Sequence, residues 1–214
     1  MKFDKDSLLL YAVTDRSWTF EKSLYEQVKE CLKGKVSCVQ LREKDLSYKD
    51  FLKEATEIGL LCKKYNVPFI VNDNVEIAIK SRADGVHIGQ KDMDIKSVRK
   101  LVGEKMIVGV SVHNAKEAKE AVENGANYLG VGAMFSTSTK LDAKTVSLDV
   151  LKDICRVSNV PVVAIGGINK NNIDSLSGSG VNGVALVSAI FGAEDIKSEC
   201  ESLYKLSKEM VERG

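Results

Sequence analysis

The sequence has few of the features that mark secreted or membrane-bound chains. Its five cysteines include no CxxC pair, which argues against a disulfide framework and a zinc site and favours a reducing, cytoplasmic location. No apolar run approaches the roughly 18 residues that a membrane span needs. The charged start precedes only a strand-length apolar stretch, unlike a signal peptide. We therefore expect neither secretion nor membrane insertion.

The chain also lacks an excess of charge, because 31 Lys and Arg residues oppose 30 Asp and Glu residues, for a net charge of +1. The overall field that would attract nucleic acid or an anionic membrane is absent, and any affinity for anions must come from local groups. The length of 214 residues favours one domain. Since no linker or low-complexity run divides it, we predict a single domain over residues 1–214.

Eight short apolar runs rich in Val and Ile alternate with longer amphipathic segments. Most runs are continuously hydrophobic, which is typical of strands buried on both faces of a parallel sheet. The segments between them have helical spacing, as in Ser47 to Tyr65 and Asn114 to Asn124. The predicted strands are Leu8 to Val13, Val36 to Leu41, Pro68 to Asn72, Gly85 to Ile88, Ile107 to Val110, Tyr128 to Val131, Val162 to Ile165 and Gly183 to Val187.

Two repeated signatures predict how these strands are arranged. The only two prolines, Pro68 and Pro161, each follow an Asn-Val pair and open strands three and seven. Strands four, six and eight share a second signature, because Asp84, Asn127 or Asn182 directly precedes the first residue of each. The first signature recurs after four strand–helix units and the second after two. Both spacings fit a closed ring of eight strands better than an open sheet. We therefore predict an α/β fold, a single-domain (β/α)8 TIM barrel of about 27 residues per unit.

One motif suggests a nucleotide site that its context contradicts. Gly178, Gly180 and Gly183 match the dinucleotide fingerprint GxGxxG. That fingerprint follows a strand and opens a helix, whereas this match follows a predicted helix and leads into a strand. We therefore assign it no nucleotide-binding role.

Polar residues are concentrated after the predicted strands, at the end where barrel enzymes carry their active sites. Gln40, Arg42 and Lys44 are spaced by two, so they share one face of an extended strand and predict an anion site. Asp73 and Asp92 end neighbouring strands, where two carboxylates and phosphate oxygens together would hold Mg²⁺. Taken singly, each aspartate is equally typical of a helix N-cap.

The ends of strands seven and eight predict a second anion site. Gly166 and Gly167 let the backbone approach a ligand closely, although tight turns alone also require glycine. Val187 and Ser188 would begin a short helix aimed at a phosphate.

The two histidines are weaker signals than these anion sites. His87 lies within a buried run and is more typical of a hydrogen-bonded barrel residue than of a proton shuttle, and His113 is typical of a loop residue. No Ser/His/Asp or Cys/His arrangement is evident. A site rich in cations and poor in bases indicates chemistry driven by stabilising a leaving group.

Taken together, the motifs resemble the thiamine phosphate synthase family over nearly the whole chain. No single motif is specific, but their order and spacing are. The resemblance rests on Leu10 to Asp15, Gln40 to Lys44, Val71 to Asp73, Ala83 to Gln90, Asp92, Gly109 to His113, Phe135 to Lys140, Ala164 to Ile168 and Gly183 to Ile190.

This resemblance implies a transferase that joins 4-amino-2-methyl-5-hydroxymethylpyrimidine diphosphate to 4-methyl-5-(2-phosphoethyl)thiazole, giving thiamine phosphate and diphosphate. It implies two phosphorylated small molecules as partners, Mg²⁺ held by Asp73 and Asp92, and no particular oligomeric state. The catalytic residues it implies are Arg42, Lys44, Ser111 and Lys140. The substrate-binding residues it implies are Gln40, Leu41, Arg42, Glu43, Lys44, Asn72, Ser111, Thr137, Ser138, Thr139, Lys140, Gly167, Val187 and Ser188.

One position departs from the family pattern, and alternative functions stay open. The family usually has proline where this chain has Ser136, so we expect a more mobile sixth loop and weaker thiazole binding. A thiazole tautomerase, a metal-independent relative, should lack Asp73, Asp92 and the threonine–lysine loop. A catalytically silent phosphate-binding barrel is disfavoured by the same residues, and another phosphosugar enzyme would rest on fold analogy alone.

Overall fold

A computed structural model describes residues 3–19, 21–136 and 145–213 of the protein. Within these ranges, eight parallel strands form a closed barrel in sequence order, and β8 pairs with β1 to complete the ring. The predicted TIM barrel is therefore confirmed. The strands are β1 (Leu10–Val13), β2 (Cys38–Leu41), β3 (Phe69–Asn72), β4 (Gly85–Ile88), β5 (Ile107–Val112), β6 (Tyr128–Val131), β7 (Val162–Ile165) and β8 (Gly183–Leu186).

Helices pack around the outside of the barrel and begin at polar caps. In seven of them the side chain before the first turn accepts a hydrogen bond from a backbone N–H within it, which explains where these helices start. The caps are Ser23, Ser47, Asn74, Asp94, Asn114, Ser147 and Asp195. The helices are α1 (Leu24–Lys33), α2 (Tyr48–Lys64), α3 (Val75–Lys80), α4 (Ile95–Val102), α5 (Ala115–Glu123), α6 (Leu148–Val157), α7 (Ser188–Phe191) and α8 (Ile196–Glu212).

The segment after β7 differs from the other units. Residues 166–182, all of which are described, contain only a 3₁₀ turn at Ile173–Leu176 where the repeat would place a helix. Gly178 and Gly180 follow that turn with positive φ angles and lead into β8. The GxGxxG match leads into a strand, as predicted, but a 3₁₀ turn precedes it where a helix was predicted.

The repeated strand entries form the same hydrogen bond four times around the ring. The side-chain oxygens of Asp84, Asn127 and Asn182 accept the backbone N–H of the first or second residue of β3, β5 and β7, at 2.9, 2.8 and 2.9 Å. Ser37 does the same for Leu10 in β1, at 2.8 Å. Each even-numbered strand thus satisfies a donor of the odd-numbered strand before it, which gives the sequence repeat its physical cause.

The apolar core has two layers, one inside the barrel and one between the barrel and the helices. Leu8 belongs to the inner layer and is fully buried, but it lies in a 3₁₀ turn (Lys5–Leu8) that precedes β1. The prediction that Leu8 starts the first strand is therefore wrong. Burial explains the error, because Leu8 fills the barrel interior below β1 and would be apolar there in a strand or in a turn.

Among the described helices, none is both long and apolar enough to cross a membrane. The five cysteines are free thiols, and Cys155 is the one that is not fully buried.

Candidate active site

The carboxyl ends of the first strands bring the predicted cations into contact with carboxylates. The backbone N–H of Arg42 donates to Thr14 Oγ1 at 3.0 Å, and Arg42 Nη1 donates to Asp15 Oδ2 at 3.2 Å. Lys44 makes an ion pair with Asp73. Asp15 is a residue that the sequence analysis missed as a site residue, although Thr14 and Asp15 belong to a quoted motif. Its buried carboxylate orients the Arg42 guanidinium at the mouth of the barrel.

Asp73 and Asp92 face each other, as predicted from their positions at neighbouring strand ends. Asp92 Oδ2 accepts the N–H of Gly89 at 2.7 Å. Partial burial raises the pKa of Asp92, and the nearby Asp73 carboxylate raises it further, while the Gly89 N–H and Lys44 act in the opposite direction. Two carboxylates that disfavour each other's charge form a site that attracts a cation.

The alternative interpretation, in which each aspartate caps a helix, is wrong. Helix α3 is capped by Asn74 and helix α4 by Asp94. Asp73 instead has a φ of +61°, a backbone conformation that few residues other than glycine adopt. Asn72, directly before it, is the partly buried last residue of β3.

Leu41 and Glu43 alternate with the cationic residues and therefore face away from the mouth. Leu41 is fully buried in the layer between barrel and helices, so only its backbone is available to a substrate. Glu43 Oε1 accepts from Arg16 Nη2 at 2.9 Å, and Arg16 also binds Glu54. Burial raises the pKa of Glu43, and Arg16 counteracts that rise. Arg16 thus joins the first loop to the second loop through Glu43 and to α2 through Glu54.

A chain of hydrogen bonds crosses the barrel interior beneath the mouth. Gln40 Nε2 donates to Tyr11 Oη at 2.8 Å, and Tyr11 Oη lies 2.8 Å from Tyr128 Oη. His87 joins Tyr128 Oη through Nδ1 and Ser111 Oγ through Nε2, both at 2.9 Å. The prediction that His87 is a hydrogen-bonded barrel residue is confirmed. Neither tyrosine could be recognised from the sequence as part of the site, because aromatic residues in apolar strand runs are ordinary core residues.

The loops after β6 and β7 pack directly against each other. Gly166 and Gly167 both have positive φ angles, and a Cβ on Gly167 would lie 2.5 Å from the carbonyl oxygen of Ser136. The Gly167 carbonyl accepts from Asn172 Nδ2 at 2.9 Å, which holds the turn. The predicted site residues Thr137, Ser138, Thr139 and Lys140 lie outside the described residues, but the described part of their loop ends beside Gly167.

At the end of β8, helix α7 begins at Ser188, directly after Val187. A short helix in this position was predicted from the sequence. Because β7 and β8 are neighbours in the barrel, the Gly167 turn and the start of α7 lie at adjacent strand ends. Backbone N–H groups at such positions are a frequent phosphate site in this architecture.

A cavity of 760 Å³ lies at the opposite end of the barrel, around Pro68, Asp84, Asn127 and Pro161. The Asp84 and Asn127 side chains accept backbone N–H groups of strands there. Its polar groups therefore serve the barrel structure, and the chemistry belongs at the other end.

Comparison with known proteins points to one family. Residues 10–190 match the family described as thiamine monophosphate synthase. A thiamine-phosphate synthase from Clostridium tetani is 46% identical over 91% of this chain and 93% of its own length. One from Methanococcus maripaludis is 42% identical over 99% and 100%. A solved thiamine phosphate pyrophosphorylase from Pyrococcus furiosus superimposes with a TM-score of 0.89 at 37% identity, covering 97% of this chain and 98% of its own.

Proposed function

This chain belongs to the thiamine monophosphate synthase family, and we propose that it joins 4-amino-2-methyl-5-hydroxymethylpyrimidine diphosphate to 4-methyl-5-(2-phosphoethyl)thiazole. The products are thiamine phosphate and diphosphate. The observation that carries this proposal is one barrel mouth that holds Arg42 against Asp15 and Lys44 against the paired carboxylates Asp73 and Asp92. A thiazole tautomerase, which works without a metal, should lack the carboxylate pair and the threonine–lysine loop.

The carboxylate pair fits Mg²⁺ by the chemistry of its donors. Asp73 and Asp92 offer hard oxygen ligands that are only partly buried, and Mg²⁺ typically takes one or two carboxylates and keeps water or phosphate oxygens in its other positions. Bound there, Mg²⁺ would supply positive charge to a diphosphate. We propose this metal for the protein on the strength of that donor set.

The remaining chemistry follows from the charges of the mouth. The methylene carbon–oxygen bond of the pyrimidine substrate breaks, and the diphosphate leaves with the electron pair. Arg42 and Lys44, together with the predicted Lys140, neutralise the growing negative charge, and Ser111 donates a hydrogen bond to it. The thiazole nitrogen then forms the new carbon–nitrogen bond with its own lone pair, so no proton is removed.

This reaction needs little from a general base, in agreement with the arrangement of His87. Both of its ring nitrogens lie within hydrogen-bond distance of hydroxyl groups, those of Tyr128 and Ser111. Orienting two bound rings against each other supplies much of the remaining rate enhancement. The site therefore serves mainly to bind, orient and neutralise.

The second substrate is proposed to bind on the other side of the mouth. Gly167, Val187 and Ser188 would hold the thiazole phosphate through backbone and hydroxyl donors at the ends of β7 and β8. The predicted Thr137, Ser138 and Thr139 would complete this phosphate site. The packing of Ser136 against Gly167 supports that placement, because Ser136 directly precedes Thr137 in the chain.

A direct assay tests the proposal. Purified protein with Mg²⁺ and both substrates should form thiamine phosphate and diphosphate in equal amounts, and EDTA should stop the reaction. Isomerisation of a thiazole phosphate without any pyrimidine substrate or metal would favour the tautomerase instead. Binding of diphosphate and thiazole phosphate without turnover would indicate a silent barrel. The predicted cytoplasmic location and the role of Lys140 stay predictions, the latter tested by a lower kcat in Lys140→Ala.

A further inference from the structure

The buried chain of hydrogen bonds ends at two residues that the proposed function assigns to the pyrimidine diphosphate, Gln40 and Ser111. Between them lie Tyr11, Tyr128 and His87, none of which has a role in the mechanism above. Each successive pair is 2.8 or 2.9 Å apart. Such a chain has a direction, because each hydroxyl and each neutral imidazole donates one proton and accepts another.

Gln40 sets that direction at one end. Its amide nitrogen only donates, so Tyr11 Oη accepts there and its own O–H is left for Tyr128. The Tyr128 O–H is then left for His87 Nδ1, which must be unprotonated to accept it. The imidazole proton therefore lies on Nε2, which donates to Ser111 Oγ.

The opposite direction is less favourable inside this barrel. Tyr11 would then accept from both Gln40 and Tyr128, and among the described residues its own O–H would have the Cys38 thiol, a weak acceptor. Burial raises the pKa of both tyrosines well above the ordinary value, so both keep their protons at neutral pH. In the direction that starts at Gln40, both protonated tyrosines donate to an oxygen or nitrogen acceptor, and neither has to donate to the Cys38 sulfur.

Two glycines inside strands make room for the rings of the chain. A Cβ on Gly109 would lie 2.4 Å from Tyr128 Oη, and a Cβ on Gly130 would lie 3.1 Å from His87 Cε1. Glycine in a strand interior weakens the strand, which indicates that the space itself is needed. The rings of Tyr128 and His87 are thereby fixed with centroids 5.4 Å apart.

We propose that His87 is a positioning residue for the diphosphate. The His87 Nε2–H donates to Ser111 Oγ, so the hydroxyl proton of Ser111 is not needed for that contact. Because Ser111 is partly exposed at the mouth, its O–H can donate to a ligand there. A diphosphate oxygen only accepts, so Ser111 assists it only with the hydroxyl in this orientation. Tyr11 and Tyr128 act through His87 by keeping its Nδ1 unprotonated. This inference rests on the proposed function, because it takes the diphosphate as the group that Ser111 contacts.

Nitrogen NMR of the protein labelled with ¹⁵N-histidine tests the tautomer directly. The chain has only two histidines, so the spectrum of His113→Gln assigns His87. We expect His87 to be neutral with its proton on Nε2, and Tyr128→Phe to remove this preference because Nδ1 loses its donor. A proton on Nδ1 in the parent protein, or an imidazolium at neutral pH, would overturn the proposal.

Kinetics of matched variants test the consequence for Ser111. We expect Tyr128→Phe and His87→Leu to lower kcat by about tenfold or more, because the Ser111 donor to the developing charge of the leaving diphosphate is misoriented. The KM for the thiazole should change little in Tyr128→Phe, whereas its melting temperature should fall, because the buried Tyr11 O–H loses its acceptor. His87→Gln, which can still donate to Ser111, should recover part of the rate that His87→Leu loses.

Two further outcomes separate this inference from the proposed function. If the parent protein forms no thiamine phosphate, the proposed function fails while the tautomer is still measured. If it turns over normally and Tyr128→Phe and His87→Leu retain the parent kcat, the positioning role fails while the function stands. Calorimetry with Mg²⁺ and inorganic pyrophosphate gives a readout independent of turnover, and both variants should bind pyrophosphate more weakly than the parent.

Discussion

Lys44 makes an ion pair with Asp73, one of the two carboxylates proposed to hold Mg²⁺. The pair joins the loop after β2 to the end of β3, and Asp92 lies beside it. A lysine ammonium therefore offsets the like charges of the carboxylates at the position proposed for the metal. We therefore predict that Mg²⁺ and Lys44 compete for Asp73, and that a Lys44 released from Asp73 would bind the diphosphate.

Replacing Lys44 with methionine should therefore tighten Mg²⁺ binding when no diphosphate is present. Exposed ion pairs are worth up to about 1 kcal/mol, so the expected gain in affinity is about two- to fivefold. The same variant should bind pyrophosphate more weakly. Calorimetric titration measures both, with Lys49→Met, an exposed lysine on α2, as the control. Weaker Mg²⁺ binding in Lys44→Met would contradict the competition.

Asp92→Asn should raise the Mg²⁺ concentration needed for the half-maximal rate by at least about tenfold, because loss of even an indirect metal contact commonly has that effect. Asp94→Asn is the matched control. Asp94 caps α4 only two residues away, and asparagine caps a helix as well as aspartate does. An unaltered metal dependence in Asp92→Asn would remove Asp92 from the metal site.

Asn182→Ala should lower the free energy of unfolding by about 1–3 kcal/mol, because the buried N–H of Val162 loses its acceptor. Activity per folded molecule should not change, since this contact lies at the end of the barrel away from the mouth. Urea unfolding measures the effect. Asn171→Ala, at an exposed position, should change stability by less than about 0.5 kcal/mol. Equal free energies of unfolding for the two variants would show that the Asn182 contact contributes nothing to stability.

Cys155 should be the first thiol that iodoacetamide modifies in the folded protein, and the reaction should be slow at neutral pH. Partial burial raises the pKa of Cys155 to about 11, and the other four thiols are fully buried. Because the thiolate is the reactive form, the rate should rise about tenfold per pH unit between pH 7 and 9. Mass spectrometry follows the modification, and Cys155→Ser should stay unmodified over the same period. A rate that levels off near pH 8.5 would contradict the raised pKa.

The strands could be predicted closely from the sequence because turn residues bound each apolar run. Gly85–Ile88, Tyr128–Val131 and Val162–Ile165 have the predicted limits. The Asp84, Asn127 and Asn182 repeat indicated a ring before any contact was known. The turn at Leu8 and the missing helix after β7 could not be predicted, because burial and chain length do not determine local backbone conformation.

The site was predictable only where its residues follow strands. Asp73 and Asp92 were predicted as a pair, but only the structure excludes helix capping, because Asn74 and Asp94 cap α3 and α4. The contact between Tyr11 and Tyr128 spans 117 positions. In strands that are apolar on both faces, the sequence does not indicate which side chains point into the barrel. The hydrogen bonds between side chains inside the barrel could therefore not be predicted.

The two ends of the barrel place opposite demands on the chain. At one end, four side chains satisfy backbone donors, whereas at the other the carboxylates of Asp73 and Asp92 are held close together. Relief of that repulsion should make the protein more resistant to unfolding, and it would remove the proposed metal site. Selection of variants for heat resistance alone would then favour inactive proteins altered at position 73, so any engineering for durability has to select for turnover as well.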